Sequence, residues 1–239
     1  MPRVGSASRS SSPASSLRAT EPCMTDEERS MMLYRVLRWI MRLYFRSRLR
    51  IRFEGEENVP EKGPFVLVLS HQSHLDSLLL HTFCPRLMFT LAKSSVFRTR
   101  FMAWLAPRVG AVPTRRYQID PQAVRVALRL IERGEGVGVF PEGERSWDGK
   151  LQPLRSGTIR LLLKAGVPVI PCGMVGTYEV FPRWGHMNWF KVGFGREPVT
   201  IRYAEPIHFG RHDDRTSREQ ARPAATIRIE TALHAVMAR

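Results

Sequence analysis

A histidine and an aspartate that follow an apolar run could form a catalytic pair. His71 and Asp76 are five positions apart and come directly after the run Phe65–Leu69. On a straight helix these side chains would lie about 140° apart, so they can meet only across a turn between a strand and a helix. Asp76 would then accept a hydrogen bond from one ring nitrogen of His71 and leave the other as a general base. The alternative is a connecting loop in which Asp76 only caps a helix, and His74 is the competing base.

Two adjacent arginines form a second cluster. Arg115 and Arg116 follow the apolar segment 109–112, and the planar guanidinium group suits a phosphate. Because neighbouring side chains of an extended chain point to opposite sides, we expect only one of the two to face a site. Either arginine alone is equally compatible with a solvated loop.

A third cluster combines carboxylates, a glycine and an arginine. Glu142, Gly143 and Arg145 follow the apolar run 137–140. A glycine at this point lets the backbone approach a ligand closely beside fixed charges. The cluster on its own is also compatible with an ordinary turn. The glycines just before it, at 134, 136 and 138, lead from a helix into a strand, which is the reverse of a dinucleotide-binding loop and excludes a nicotinamide site.

The elements that must position these clusters alternate between strand and helix, which predicts an α/β fold with a central, mostly parallel sheet flanked by helices. The predicted strands are 65–69, 87–91, 109–112, 137–140, 167–172, 190–195 and 199–203. The predicted helices are 76–83, 96–107, 120–133, 155–165 and 216–239, with Pro223 as a boundary or kink in the last. All three clusters follow or adjoin predicted strand ends, where open α/β sheets place their sites.

The chain divides into a tail, a helix and one domain. Residues 1–24 are rich in Ser and Arg, which predicts a disordered tail. Residues 25–50 predict an amphipathic helix that begins at a capping box at Thr25, and residues 51–239 form the domain. One face of this helix is apolar and the opposite stripe is basic; the apolar members are Leu33, Val36, Leu37, Ile40 and Tyr44, and the basic ones are Arg35, Arg38, Arg42 and Arg46.

This helix has two interpretations. Its apolar face could pack on the core of the protein like that of an ordinary surface helix. Alternatively the helix lies in a membrane interface, with its arginines toward anionic headgroups and its aromatic side chains at the boundary.

Composition restricts the partners. The chain has 239 residues and a formal net charge of +15, so an anionic partner is expected, whether nucleic acid, a phosphorylated small molecule or an acidic membrane. Its three cysteines are far apart, which suggests neither a disulfide framework nor a metal site and fits a reduced, cytosolic-side compartment. No uncharged apolar run reaches the length of about 20 residues that a spanning helix needs.

Taken together and in order, these clusters resemble the four motif blocks of the glycerolipid acyltransferase family, typified by the lysophosphatidic acid acyltransferases. The blocks are His71 with Asp76, the segment 110–116, the segment 140–145, and the proline- and valine-rich segment 167–171. The resemblance spans about residues 50–210. Four blocks in this order are far more specific than any one of them.

The resemblance implies acyl transfer from a thioester, either acyl-CoA or acyl carrier protein, to the sn-2 hydroxyl of 1-acylglycerol-3-phosphate, with no bound cofactor and no metal. His71 would be the general base and Asp76 its orienting partner. The roles at the acceptor's glycerol phosphate would fall to Arg115 or Arg116, Glu142, Gly143 and Arg145. The roles in shaping a pocket would fall to Val167, Pro168 and Pro171.

Two departures from the family pattern keep alternatives open. Ser70 stands where Asn is frequent, and Glu144 stands where Thr is frequent. The extra negative charge of Glu144 leaves another lysolipid as a possible acceptor. We expect a peripheral enzyme on the cytoplasmic face of an anionic membrane. The rival from another class is a basic nucleic-acid-binding module, but interleaved aromatic residues or a recognition helix are not seen in the sequence, so nucleic acid is not the expected partner.

Overall fold

The central feature of the computed structural model is a seven-stranded sheet with the order β1-β7-β6-β2-β5-β3-β4. The structure describes residues 26–114, 121–186, 188 and 197–238. The strands are β1 Arg50–Glu54, β2 Phe65–Leu69, β3 Met88–Lys93, β4 Ala111–Thr114, β5 Gly136–Val139, β6 Val169–Val175 and β7 Pro198–Tyr203. β2 to β6 run parallel to one another, whereas β7 is antiparallel to β6 and β1 is parallel to β7. The edge at which β2 to β6 end is called the carboxyl edge below.

Helices cover both faces of this sheet. They are α1 Asp26–Arg48, α2 Asp76–Phe83, α3 Arg100–Arg108, α4 Pro121–Glu132, α5 Ser156–Ala165, α6 Thr177–Val180 and α7 Arg215–Met237. Short 3-10 turns occupy Glu56–Asn58 and Ser94–Arg98. The predicted α/β fold with a mostly parallel sheet between helices is therefore confirmed.

The central strand β2 shows how the two layers are held. All five of its residues are buried, and successive side chains point to opposite faces of the sheet. Phe65, Leu67 and Leu69 join the core formed with α1 and α2, whereas Val66 and Val68 join the core formed with α4, α5 and α7. A strand buried on both faces must be apolar throughout, which is why the sequence shows it as an uninterrupted run.

The glycine-rich stretch before the third cluster is used for packing. Gly136 and Gly138 lie in β5, where a Cβ atom would come within 2.4 Å of the Phe65 ring and 2.9 Å of the Met88 side chain. The absence of a side chain lets the large residues of the neighbouring strands fill that face. This placement agrees with the exclusion of a dinucleotide loop.

Several predicted elements differ from the observed ones. β1 and α6 were not predicted, and β6 begins and ends later than its predicted range of 167–172. The predicted helix 96–107 is a 3-10 turn followed by α3. Pro223 neither begins nor breaks α7, since it lies inside that helix. The predicted tail 1–24, the capping residue Thr25 and the predicted strand 190–195 lie outside the described residues.

The observed orientation of α1 differs from the predicted assignment of its apolar and basic faces. Among the described residues of this region, Tyr34 and Phe45 in α1 and Leu49 directly after it are buried, and none of them belongs to the predicted apolar stripe. Three members of that stripe are exposed, together with other large apolar side chains of the helix. The exposed set is Met31, Met32, Val36, Trp39, Ile40, Leu43 and Tyr44, called the outer face of α1 below.

The inward position of two arginines explains this orientation. Arg38 Nε and Arg42 Nε donate to the carbonyl oxygen of Thr82 at 3.1 Å and 2.8 Å, and Arg38 also donates to the carbonyl of Cys84. These carbonyls belong to the end of α2, where backbone acceptors have no partner within the helix. Arg38 and Arg42 therefore satisfy a helix terminus inside the protein. Within the described ranges, no helix combines the length and the apolar character needed to cross a bilayer.

Candidate active site

His71 and Asp76 meet at the carboxyl edge, directly after β2. His71 Nδ1 lies 3.0 Å from Asp76 Oδ2, which is the hydrogen bond expected from the sequence. Residues 70–75 turn between the end of β2 and the start of α2, and Asp76 is the first residue of that helix. The strand-to-helix turn therefore brings together two side chains that a straight helix would separate.

Asp76 holds the whole loop as well as the histidine. Its side chain has no solvent exposure, and Oδ2 also accepts hydrogen bonds from the backbone N–H groups of Gln72 at 2.6 Å and Ser73 at 2.7 Å. An oxygen that accepts from three donors fixes their positions relative to one another. The geometry thus adds an anchoring role to the expected orienting role of Asp76.

The environment of the His71 ring leaves it partly open. The ring stacks on Phe140 with centroids 4.0 Å apart, and the side chain is 15% exposed. Because Asp76 accepts from Nδ1, the Nδ1–H tautomer is favoured and Nε2 carries the lone pair. A ring held in this way presents one basic nitrogen to a reacting group.

The backbone of His71 is fixed by the third cluster. Glu142 Oε1 accepts from the backbone N–H of His71 at 2.6 Å, and the backbone N–H of Ser146 donates to the carbonyl of His71 at 2.7 Å. The other carboxylate oxygen, Glu142 Oε2, accepts from the backbone N–H of Gln152 at 2.8 Å. Both oxygens of Glu142 are therefore used within the protein, and the residue is only 2% exposed. The structure thus gives Glu142 a role in holding the backbone of His71, while its predicted contact with an acceptor stays a prediction.

Burial changes the acidity of Glu142. Desolvation raises the pKa of its carboxyl to about 7, although the two backbone N–H donors act in the opposite direction. Nearby Asp76 and Glu144 raise it further. The carboxyl of Glu142, which holds the backbone of His71, therefore titrates close to neutral pH.

Gly143 and Arg145 lie in the turn after β5. Gly143 has a φ of +72°, and a Cβ atom there would lie 3.1 Å from Arg155 Nε. Both the left-handed backbone and the close contact require glycine. The Arg145 guanidinium contacts the ring of His74, so this predicted site residue adjoins the loop that carries His71.

His74, the competing base, is occupied elsewhere. Its ring stacks on Phe181 with centroids 4.5 Å apart. Burial, and then the charge of Arg145, lower the pKa of His74. The ion-pair contact of Asp76 is to His71, which makes His71 the better-placed base.

The remaining predicted site residues do not lie together with His71 in the described part of the structure. Arg115 and Arg116 lie outside the described residues. Pro171 is buried in β6 beside Val68 of β2. Val167 and Pro168 precede β6 and therefore lie at the edge opposite His71, where the carbonyl of Pro168 accepts from Val66. The structure does not bring these two residues together with the histidine.

Two arginines at this edge were missed from the sequence. Arg155 Nε donates to the carbonyl of Glu142 at 3.2 Å, and Arg183 Nη2 lies 3.0 Å from Glu144 Oε2. No local pattern distinguishes them from the other arginines of a basic chain. The sequence offered only an indirect signal for them. The unusual carboxylate at Glu144 indicates that a positively charged side chain lies nearby.

Fold and site together define an α/β protein with a buried carboxylate and an oriented histidine at the carboxyl edge, an arrangement that can support general-base catalysis. The sequence model of the Acyltransferase family matches residues 50–175, more than half of the chain. The chain therefore belongs to the acyltransferase family.

Curated relatives point in the same direction. A chloroplast 1-acyl-sn-glycerol-3-phosphate acyltransferase of Brassica napus is 34% identical over 134 residues, which are 54% of this chain and 38% of the relative. The enzyme of the same name from Borreliella burgdorferi is 29% identical over 56% of this chain and 54% of its own length. The chain thus spans between two fifths and about half of the length of these relatives.

One solved structure shares the fold. The 1-acyl-sn-glycerophosphate acyltransferase PlsC from Thermotoga maritima superposes with a TM-score of 0.67, covering 90% of this chain and 85% of its own, at 23% sequence identity. At that identity the likeness supports the fold alone.

Proposed function

We propose that this protein transfers a fatty acyl group from a thioester to the sn-2 hydroxyl of 1-acylglycerol-3-phosphate and so forms phosphatidic acid. The observation that carries the proposal is the 3.0 Å hydrogen bond between His71 Nδ1 and Asp76 Oδ2 at the carboxyl edge. It lies inside the segment matched by the family model. The names of the curated relatives support this choice of acceptor.

The mechanism uses His71 twice. Its Nε2 takes the proton of the acceptor hydroxyl as the oxygen attacks the thioester carbonyl, which gives a tetrahedral intermediate. When the carbon–sulfur bond breaks, the imidazolium returns the proton to the thiolate, so the free thiol leaves with the hydrogen of the alcohol. Asp76 stabilises the transient imidazolium and keeps the ring in its tautomer. General-base catalysis of this kind contributes about 10²–10⁴ in rate.

The acceptor phosphate would be held by positive side chains of the second and third clusters. Arg145 adjoins the His71 loop through its contact with His74. Arg115 or Arg116 would add a second guanidinium, and Gly143 keeps the turn open. Glu142 acts in this scheme as a positioning residue. Its carboxylate holds the backbone of His71 and therefore affects the acceptor indirectly, through the position of His71. The pocket-shaping roles of Val167, Pro168 and Pro171 stay predictions.

The outer face of α1 supports peripheral attachment to a membrane. Trp39, the most exposed of its large apolar side chains, is 62% exposed, and aromatic residues of this kind favour the boundary between headgroups and acyl chains. α1 ends at Arg48 and β1 begins at Arg50. Because β1 runs against the central strands, its first residue lies at the carboxyl edge. A bilayer beneath α1 would therefore lie near the proposed site, and we infer attachment to its cytoplasmic face.

A same-mechanism enzyme for another lysolipid is the second candidate, and Glu144 is the observation that favours it. A negative charge near the acceptor disfavours a phosphomonoester more than a zwitterionic headgroup. In the structure that charge is offset by contacts with Arg183 and Arg155. The offset weakens the repulsion of a phosphomonoester, so lysophosphatidic acid remains the favoured acceptor.

The proposal is tested by thiol release from purified protein in mixed micelles. Acyl-CoA and acyl carrier protein thioesters are combined in turn with lysophosphatidic acid, other lysolipids and glycerol 3-phosphate, and the lipid product is identified by mass. We expect the fastest thiol release, with phosphatidic acid as product, for lysophosphatidic acid. Acceptor-independent thiol release, or a preference for another lysolipid, would contradict the proposed acceptor.

A further inference from the structure

Glu144 sits between two arginines that come from distant parts of the chain. Arg183 Nη2 lies 3.0 Å from Oε2, and Arg155 Nη2 lies 3.6 Å from Oε1. Arg183 is the closer and better shielded partner, with a side chain only 9% exposed against 50% for Arg155. A shielded ion pair is screened less by solvent than an exposed one. Arg183 is therefore the main partner of Glu144.

Arg183 is fixed by three further contacts. Its guanidinium donates to the backbone carbonyl of Arg145. Its central carbon lies 3.6 Å from the ring centroid of Trp147 and 5.1 Å from that of Trp184, distances at which the ring face attracts a cation. The guanidinium thus has a single defined position behind the residue that is expected to meet the acceptor phosphate.

The segment that carries Arg183 also touches the loop of the general base. Ser73 Oγ donates to the carbonyl of Phe181 at 2.8 Å, and the Phe181 ring stacks on His74. Residues 181–183 therefore join the His71 loop to the turn that bears Glu144 and Arg145. A charge on Arg183 or Glu144 lies close to the acceptor region rather than on a remote surface.

We infer that Glu144 and Arg183 form a charge pair that sets the preference of the site for a phosphomonoester acceptor over a zwitterionic one. This inference rests on the proposed function. Arg183 offsets the negative charge that Glu144 places beside the phosphate, and Glu144 limits the positive potential that Arg183 and Arg145 create together. Glu144 repels an anionic headgroup and Arg183 attracts it. Removal of one residue or the other must therefore change the preference between the two acceptors in opposite directions.

Opposite effects separate this role from a structural one. If the pair only held the turn in place, loss of either partner would weaken the site in the same direction for every acceptor. A change in the ratio of two acceptors also cancels any fall in the amount of active protein.

The experiment compares Glu144→Gln with Arg183→Gln. For each variant kcat/KM is measured for lysophosphatidic acid and for a lysolipid with a phosphocholine headgroup, both in the same neutral detergent micelles, and the ratio of the two values is taken. We expect Glu144→Gln to raise this ratio about fivefold and Arg183→Gln to lower it about fivefold. The change in the ratio should arise mainly from KM for lysophosphatidic acid, with kcat close to the wild-type value.

Matched controls come from an ion pair between helices α5 and α7. Arg160 Nε lies 2.6 Å from Glu219 Oε1. Arg160→Gln and Glu219→Gln make the same chemical changes there and should leave the ratio within about twofold of the wild-type value, since both positions are surface pairs.

Glu144→Gln decides the question, because it keeps the size of the side chain. A ratio that falls or does not change in this variant would overturn the inference. If Arg183→Gln does not fold, Arg183→Lys takes its place; it loses the planar stacking on the tryptophans but keeps the charge, so the ratio should stay within about twofold. Failure of wild-type protein to acylate lysophosphatidic acid would remove the proposed function, whereas an unchanged Glu144→Gln ratio beside an active wild type would remove only the role of this pair.

Discussion

The His71 loop and helix α1 both depart from the usual distribution of polar and apolar side chains, and they do so in opposite ways. In the loop, Asp76 is buried, and its Oδ2 accepts hydrogen bonds from three donors. On α1, large apolar side chains face outward while Arg38 and Arg42 turn toward the protein. A buried charge is kept only with strong partners, and an extended apolar surface is kept exposed only at a cost in solubility. Each departure therefore supports one part of the proposed function, namely chemistry in the loop and contact with lipid on the helix.

The largest effect is expected from removing the proposed general base, His71. His71→Ala should lower kcat by about 10²–10⁴, because the alcohol then loses its proton acceptor. Acceptor KM should change little, since the imidazole acts in the chemical step. Thiol release with saturating donor measures both values. His234→Ala, at an exposed position on α7, is the control; a similar loss in that variant, or full activity of His71→Ala, would remove His71 from the mechanism.

The second test removes apolar groups from the outer face of α1. The double substitution Trp39→Ser, Leu43→Ser should lower partitioning onto anionic vesicles about 100-fold, from the apolar area that no longer leaves water. Its melting temperature should stay near that of the wild type, because both side chains are already exposed in the folded protein. Co-sedimentation with vesicles and thermal unfolding measure the two quantities.

The matched control for that face lies on α7. Ile227 is 63% exposed, so Ile227→Ser removes a comparable apolar group from a different helix and should leave vesicle binding unchanged. Equal vesicle binding by the control and the double variant would mean that α1 does not meet the bilayer.

The third test asks whether the inward arginines serve the fold. Arg38→Gln should lower the free energy of unfolding by about 2 kcal/mol, since it removes charged hydrogen bonds to the carbonyls of Thr82 and Cys84. Arg35→Gln, exposed on the same helix, should change it by less than about 0.5 kcal/mol. Urea unfolding gives both values. A loss of lipid binding from Arg38→Gln without a loss of stability would favour arginines directed at headgroups instead.

The last test concerns Glu142, whose carboxylate holds the backbone of His71. Burial raises the pKa of Glu142 to about 7, above its ordinary value of 4.5, so the folded protein holds this proton more tightly than the unfolded chain. The resulting stabilisation is complete below about pH 4.5 and is lost as the pH rises through about 7. The free energy of unfolding of wild type, relative to that of Glu142→Gln, should therefore fall between pH 5 and 7 by up to about 1.4 kcal/mol per pH unit.

Urea unfolding of both proteins at pH 5, 6 and 7 measures this difference. Glu219→Gln is the control, because hydrogen bonding with Arg160 lowers the pKa of Glu219 below its ordinary value. Its difference from wild type should be flat over this range. A flat difference for Glu142→Gln as well would mean that Glu142 is ionised throughout and that burial does not hold its proton.

The sequence predicted those parts of the molecule whose pattern is local. β2 and β5 are uninterrupted runs of apolar and glycine residues because both faces of each strand are covered. β1 was missed because its two half-buried positions, Ile51 and Phe53, alternate with exposed charged residues in a strand of only five residues. The outward face of α1 could not be predicted, since helical periodicity identifies a face without saying what covers it.

The same limit applies to the site. The meeting of His71 with Asp76 follows from a turn that the sequence marks, whereas the hydrogen bond from His71 to Glu142 joins residues 71 positions apart. The contact of Arg183 with Glu144 spans 39 positions. Contacts of this kind depend on strand order, and β2 and β5 become neighbours only when the sheet has formed.

Fixing both backbone groups of His71 to one turn has a mechanical consequence. The N–H is held by Glu142 and the carbonyl by Ser146, which flank Arg145 in the chain. The backbone of His71 and the backbone of the turn that carries Arg145 are therefore held in one arrangement. In the proposed function, this arrangement would favour an acceptor whose hydroxyl lies at a matching distance from its phosphate.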